Sequence, residues 1–185
     1  MANLENDRIA DLAERARNGD REAFSRIVDQ LMNSVVALTH KMTGDRDTAL
    51  DLAQETFVAA WTGLGEFRKE ARFQSWLYRI AMNKCLNHMH SANAARKTEL
   101  SEFEGSSRLR PDLMLDQREL ESGILEFMTL LPEQQKVAFE LRFYRHMTFE
   151  EIAAATGKAI GTVKTNYREA ISKLRGFAVK KGLHP

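Results

Sequence analysis

Lys164, Arg168, Lys173 and Arg175 fall within one short stretch, GTVKTNYREAISKLR, whose only acid is Glu169. Thr162, Thr165 and Asn166 add short polar side chains. Cations at helical spacing beside small hydrogen-bonding groups can neutralise phosphates and meet base edges. The chemistry on offer is recognition of nucleic acid rather than bond-making. With about 100° between successive residues, Val163, Tyr167, Ala170 and Leu174 gather on one side of a helix and Ile171 on its margin. Thr165 and Ser172 point the opposite way, with Lys164, Arg168 and Arg175 on one flank and Glu169 on the other. A helix that reads DNA needs this division, a buried stripe to fix its pose and exposed donors for bases and phosphates. A charge run alone would equally describe a solvated surface helix, so the flanking elements must decide.

A second constellation lies in DLAQETF, where Asp51 and Glu55 are four apart and share a helix face, with Gln54 beside them. Leu52, Ala53, Phe57 and Ala60 can face a core. An exposed patch of carboxylates and an amide suits a basic or hydrogen-bonding protein surface. Asp45, Asp47, Asp51 and Glu55 could instead be metal ligands, but no His or further carboxylate is placed by sequence to complete a site. Helix caps and solvated charges are the remaining reading of the same residues.

In GEFRKEARFQSW, Arg68, Lys69 and Arg72 are interleaved with Phe67 and Phe73. Basic groups among aromatics suit single-stranded DNA, where phosphates need charge and unstacked bases need apolar walls. Asn83 and Asn87 would stand one turn apart on the helix that follows. Cys85, His88 and His90 form a Cys-x-x-His-x-His string. Zinc would need a fourth ligand, and residues 88 and 90 point to different faces of a helix, so a buried thiol and surface histidines are expected. No set of residues suggests catalysis, and none calls for a cofactor.

The elements that must position these groups are helical almost throughout. NGDREAFSRIVDQLMNSVVALTHKMTG opens with a turn at Asn18-Gly19 and an N-cap at Asp20. Phe24, Ile27, Val28, Leu31, Val35 and Leu38 then recur at helical spacing. Gly44 ends that helix, and Asp45 or Asp47 can cap the next, which carries DLAQETF. GEFRKEAR breaks the pattern as a loop, and FQSWLYRIAMNKCLNHMH resumes it. From about Ser91 to Leu115 periodicity fails in a stretch of small and charged residues, as in a linker. DQRELESGILEFMTLL is helical again, and Pro132 suits the first turn of the next helix. TFEEIAAATG offers a capping box, Thr148 with Glu151 three residues on, and Gly157 where the chain must turn before a second helix starting at Gly161-Thr162. Two short helices joined by a brief glycine-bearing turn form a helix-turn-helix.

The near-zero net charge of +1 over 185 residues hides a segregation. Residues 1–98 carry 14 basic and 13 acidic side chains, residues 99–131 carry 3 and 8, and residues 132–185 carry 10 and 5. A basic C-terminal segment behind an acidic connector suggests separate partners for separate parts. The lone Cys85 cannot form an internal disulfide, and MANLENDRIADLAERARNGD lacks an apolar signal core. No run approaches a membrane span. A cytoplasmic protein without direct membrane insertion is expected.

Taken in order, the motifs resemble the extracytoplasmic-function (ECF) branch of bacterial sigma-70-type sigma factors. NGDREAF is similar to that family's first helix. DLAQETFVAAW resembles its polymerase-binding helix, and FQSWLYRIAMN its segment serving the downstream (−10) promoter element. LLPEQQKVAFELRF, TFEEIAAATG and GTVKT resemble the domain that reads the upstream (−35) element. The resemblance implies that Asp51, Gln54, Glu55 and Phe57 face core RNA polymerase, on the coiled coil of its largest subunit. It implies that Arg68, Lys69, Arg72, Asn83 and Asn87 meet downstream promoter DNA, where the loop captures an unpaired base. It assigns Thr162, Lys164, Thr165, Asn166, Arg168, Glu169 and Arg175 to upstream promoter DNA, and an anti-sigma factor as a further partner.

The chain departs from the family at two places. Asn87 stands where an Asp is common, and the arginine cluster after it is replaced by NHMHSANAARK, with bases delayed to Arg96 and Lys97. Glu169 stands where Arg is frequent, and a carboxylate there repels phosphate but can accept from cytosine N4. The expectation is an all-α chain of two small helical domains, 1–92 and 117–185, the second a helix-turn-helix, joined by a flexible acidic linker over 93–116. It would be a dissociable promoter-specificity subunit without catalytic chemistry. A stand-alone helix-turn-helix regulator, or a metal-dependent nuclease using the acidic cluster, would share some of these features.

Overall fold

The computed structural model describes residues 2–67, 72–98 and 115–181, with side chains placed over 6–67, 72–92 and 122–181. It divides into two compact units, Met1–His88 and Met89–Pro185. Among the described residues every regular element is helical.

The first unit begins with α1 (Ala2–Arg17), followed by α2 (Arg21–Thr43), α3 (Arg46–Thr62), a 3-10 turn at Leu64–Glu66 and α4 (Phe73–Thr98). The sequence reading starts the helices at NGDREAF, so α1 is an addition. Ile9, Leu12, Ala13 and Ala16, at helical spacing, are its buried stripe. Asp20 caps α2, its Oδ1 accepting from the Ala23 backbone N–H at 2.9 Å. Ile27, Leu31, Val35, Leu38 and Met42 run down the buried side of α2. Gly44 closes that helix at φ 76°, a left-handed conformation that lets its N–H reach the His40 carbonyl at 2.8 Å. Asp45 then caps α3 through the Thr48 N–H at 2.8 Å. The Thr39 hydroxyl, fully buried, donates to the Ala49 carbonyl at 2.8 Å and ties α2 to the start of α3.

The second unit holds α5 (Leu115–Thr129), α6 (Glu133–Phe139), a π-helical stretch at Glu140–Tyr144, α7 (Phe149–Thr156) and α8 (Ile160–Lys180). Phe127, Met128, Leu131, Phe139 and Ala170 form its centre, with the Phe127 ring edge-on to Phe139 at 5.3 Å and tilted against Phe177 at 5.7 Å. Pro132 is the N-cap of α6 rather than a residue of its first turn. The Thr148 capping box is complete: Glu151 N–H donates to Thr148 Oγ1 at 3.1 Å and Thr148 N–H to Glu151 Oε2 at 2.7 Å. Gly157, at φ 67°, makes the left-handed turn between α7 and α8. The second helix starts at Ile160, one residue before the expected Gly161, and Ala159 at its N-cap supplies no side-chain bond.

Of the expected linker, 93–116, residues 99–114 lie outside the described residues. Helix α4 continues to Thr98, and α5 already includes Leu115. Ala and Arg among residues 92–98 favour helix, which outweighs the loss of an apolar stripe there.

Candidate nucleic-acid and protein interfaces

Helix α8 is seated by Val163 and Ala170, both buried, and by the half-buried Tyr167, Ile171, Leu174 and Phe177. Thr162, Lys164, Thr165, Arg168, Glu169 and Arg175 are all exposed, while Asn166 is half-buried on the flank. The helix therefore has the two sides that the wheel assigns to it. It is braced by α7: Phe149 meets the Tyr167 ring edge-on at 5.7 Å. Lys164 Nζ stands 5.7 Å from the Phe149 ring centre, and Arg142 stands 5.0 Å from the same ring. Both cationic heads thus stand over one aromatic face.

Glu169 has a role that its sequence position does not disclose. Gln135, on α6, donates its Nε2–H to Glu169 Oε2. The carboxylate is thus held from within the unit on one flank, opposite Lys164 and Arg168. Deeper in the same unit, burial and then the charge of Glu140 push the Tyr144 phenol up to about 12, so it stays neutral. Burial also pushes the Lys136 ammonium down.

The outer face of α3 carries Asp51, Gln54 and Glu55, all exposed. Phe57 corrects the expectation: at 5% exposure it belongs to the core beneath that face and offers nothing to a partner. Three apolar residues were missed instead. Val58 is 65% exposed, and Leu50 and Trp61 are also exposed. Leu50, Gln54 and Val58 succeed one another at four-residue steps, so they form a ridge bordered by the acids. The spacing was visible in the sequence, but apolar residues all round α3 concealed which of them face outward. The ridge has fixed borders. Trp61 packs on Phe24 of α2 at 4.9 Å, and Glu55 Oε2 accepts from Lys84 Nζ of α4 at 2.9 Å. A mixed apolar and polar ridge of this kind fits a protein partner better than a metal ion. Among the described residues no cluster of three or more His, Cys, Asp or Glu side chains could hold a metal.

Arg68 and Lys69 lie outside the described residues. Arg72, Asn83 and Asn87 are exposed. At about 100° per residue they share one side of α4, together with exposed Arg79. Arg79, one turn before Asn83, was legible at that spacing and was not read. Phe67 and Phe73 are buried, their rings edge-on at 5.4 Å, and Trp76 lies against both at 5.3 and 5.5 Å. Phe67 and Phe73 thus belong to the core and do not serve as exposed walls for unstacked bases. Cys85 is buried, while His88 and His90 are exposed.

Comparison with known proteins gives these surfaces a family. Residues 27–95 match Sigma-70 region 2, and residues 123–174 match Sigma-70, region 4. The RNA polymerase sigma-H factor of Pseudomonas aeruginosa is 33% identical over 177 residues, covering 88% of this chain and 91% of its own length. The ECF RNA polymerase sigma-E factor of Escherichia coli strain K12 is 31% identical over 173 residues, covering 86% and 90%. The fold is shared with CnrH, solved in complex with the cytosolic domain of CnrY, at a TM-score of 0.68 and 24% identity, over 95% of this chain and 98% of that one. It is shared too with the sigma factor RpoE of Bartonella quintana, solved in complex with the anti-sigma factor NepR, at 0.70 and 23%, over 83% and 95%. Two sigma regions in this order, with sequence identity extending over most of both chains, decide the matter: the protein belongs to the ECF branch of the sigma-70 family, the RNA polymerase sigma factors that direct transcription initiation.

Proposed function

We propose that the three exposed faces divide the work of promoter recognition. The α3 ridge of Leu50, Asp51, Gln54, Glu55 and Val58 docks on core polymerase. Arg72, Arg79, Asn83 and Asn87, with Arg68 and Lys69 beside them in sequence, receive the downstream element and hold its unpaired strand. Helix α8 enters the major groove of the upstream element, with Lys164, Thr165 and Arg168 toward the DNA. The chain carries out no bond-making step of its own; binding energy for the melted strand is its contribution to opening. The observation that carries this reading is α8 itself, buried along Val163 and Ala170 and exposed along Lys164, Thr165 and Arg168.

A cytoplasmic location accords with this role, and no helix among the described residues is long and apolar enough to cross a membrane. The two structural neighbours were each solved with a bound partner, one of them an anti-sigma factor, which supports an anti-sigma protein as a partner here. The deciding experiment measures promoter-DNA binding by the full chain with and without core polymerase. Selective binding is expected only in the presence of polymerase. Selective binding by the chain alone would point to a stand-alone regulator.

A further inference from the structure

The contact between Gln135 and Glu169 joins α6 to the DNA-facing helix at a position where a flexible side chain would otherwise be free to choose its direction. Gln135 is 8% exposed and lies in the first turn of α6, its own N–H bonded to the Pro132 carbonyl at 2.9 Å. Packing and backbone therefore fix its side chain before any DNA arrives. Its Nε2 donates to Glu169 Oε2, while its Oε1 is buried with no hydrogen-bond partner. Turning the amide over would put a carbonyl oxygen against a carboxylate oxygen, so the orientation is set by Glu169 even though it leaves Oε1 without a donor. A buried acceptor left in this way is costly. The bond to the charged carboxylate must outweigh that cost, as bonds to ionised acceptors do.

We propose that Gln135 is a specificity-determining positioning residue for upstream promoter recognition. This rests on the reading of α8 as the upstream-element helix. Gln135 touches no base. It holds one carboxylate oxygen of Glu169 and leaves acceptor capacity on the rest of the group. An untethered glutamate beside DNA would swing away from the phosphates. A tethered one stays at the edge of the reading face, where it accepts from cytosine N4 and disfavours bases that present an acceptor. The partner this selects is a cytosine-bearing base pair under the Glu169 flank of α8. Because the tether is an internal hydrogen bond, its removal should alter base preference without altering the charge of the helix.

The test selects upstream sequences from randomised promoter DNA, using core polymerase with the wild-type chain, Gln135→Met, Gln135→Asn, Glu169→Gln and the Gln135→Met/Glu169→Gln double variant. Gln135→Met keeps the volume of the buried side chain, and Gln135→Asn keeps the amide but shortens its reach; thermal unfolding accompanies each. Glu169→Gln is expected to relax preference at one base pair by about 5-fold or more. Both Gln135 variants should relax the same base pair and no other, and the double variant should go no further than Glu169→Gln alone. Overturning results are a Gln135 variant that leaves this preference intact, or one that weakens every position equally. Failure of the wild-type holoenzyme to select any upstream sequence would instead overturn the reading of α8, and the proposal with it.

Discussion

Arg145 closes onto Glu140 inside the C-terminal unit, with its Nε and Nη2 both reaching Oε1, at 3.0 and 2.8 Å. The backbones of the same two residues are also joined, Arg145 N–H to Glu140 carbonyl at 3.2 Å, across the π-helical stretch. The Arg145 and Glu140 side chains are 8% and 0% exposed, so the ion pair is buried. Removing one partner of a buried pair costs about 3–5 kcal/mol because a charge is left in the interior. Arg145→Met is therefore expected to destabilise the C-terminal unit by about that much. Glu140→Gln with Arg145→Met should cost less. Urea unfolding of the full chain, followed by hydrogen exchange in α6 and α7, measures both. Equal stability of Arg145→Met and wild type would rule out the pair as a structural tie.

Asp45 makes the N-terminal cap of α3 acid-sensitive. The Thr48 backbone N–H, and then the Thr48 hydroxyl, hold its carboxyl below the ordinary value of 3.8. A depressed carboxyl contributes stability that is fully present above its unfolded value and lost as pH falls through the folded one. Asp45→Asn retains an N-cap but cannot titrate. The variant is expected to lose less stability than the wild type as pH drops below about 4. Parallel acid-unfolding curves would contradict this account of the cap.

On the outer face of α3, Gln54→Ala with Glu55→Ala is expected to weaken core-polymerase affinity by about tenfold, with helix content unchanged. Val58→Asp should weaken it similarly, because the apolar centre of the ridge would carry a charge. Phe57→Leu, a change beneath the face, should alter stability more than affinity. Equilibrium binding to labelled core polymerase beside circular dichroism separates these effects. Native-like affinity in both surface variants would remove this ridge from the interface.

Arg168 and Lys164 stand exposed on α8 and are expected to fail differently. If Arg168 meets a guanine, Arg168→Ala should cost ~1–3 kcal/mol at a single base position and relax preference there. Lys164→Ala, losing a phosphate contact, should weaken all promoters alike and shrink the salt slope by about one. Binding of matched promoter variants by the holoenzyme across a salt series measures both. An unchanged salt slope for Lys164→Ala would place that ammonium away from the backbone, held against Phe149.

Local signals in the sequence were reliable where a single residue type carries the physics. Asp20, Asp45 and Thr148 cap helices, and Gly44 and Gly157 take left-handed turns. The wheel of α8 was equally readable, since its apolar stripe is narrow and its partners lie in the same unit. Beyond the outward-facing apolar residues of α3 and Arg79, other features escaped. α1 has a clear stripe at Ile9, Leu12 and Ala16, but it precedes the motifs that drew attention. The π-helical stretch, closed by the backbone bond from Arg145 N–H to the Glu140 carbonyl, has no propensity signature in the sequence. The tie between Gln135 and Glu169 spans 34 residues, and no local pattern foretells which amide will meet which carboxylate. For Phe57 the residue pattern and the resemblance pointed different ways, and the packing follows the pattern: Phe57 lies in the core, while Val58 beside it faces out.

The seating of α8 also bears on how such a protein can change over generations. Its anchoring runs from Val163 to Phe177, while Lys164, Thr165 and Arg168 lie outside that seat. If α8 reads promoter DNA as proposed, a duplicated gene could change its base preference through substitutions at Thr165 and Arg168 without disturbing the buried seat. Glu169 is different, because its replacement leaves Gln135 with a buried amide and no carboxylate to face. Lineages that alter this position should tend to alter position 135 as well, so that two sites far apart in the gene would be inherited as a matched pair.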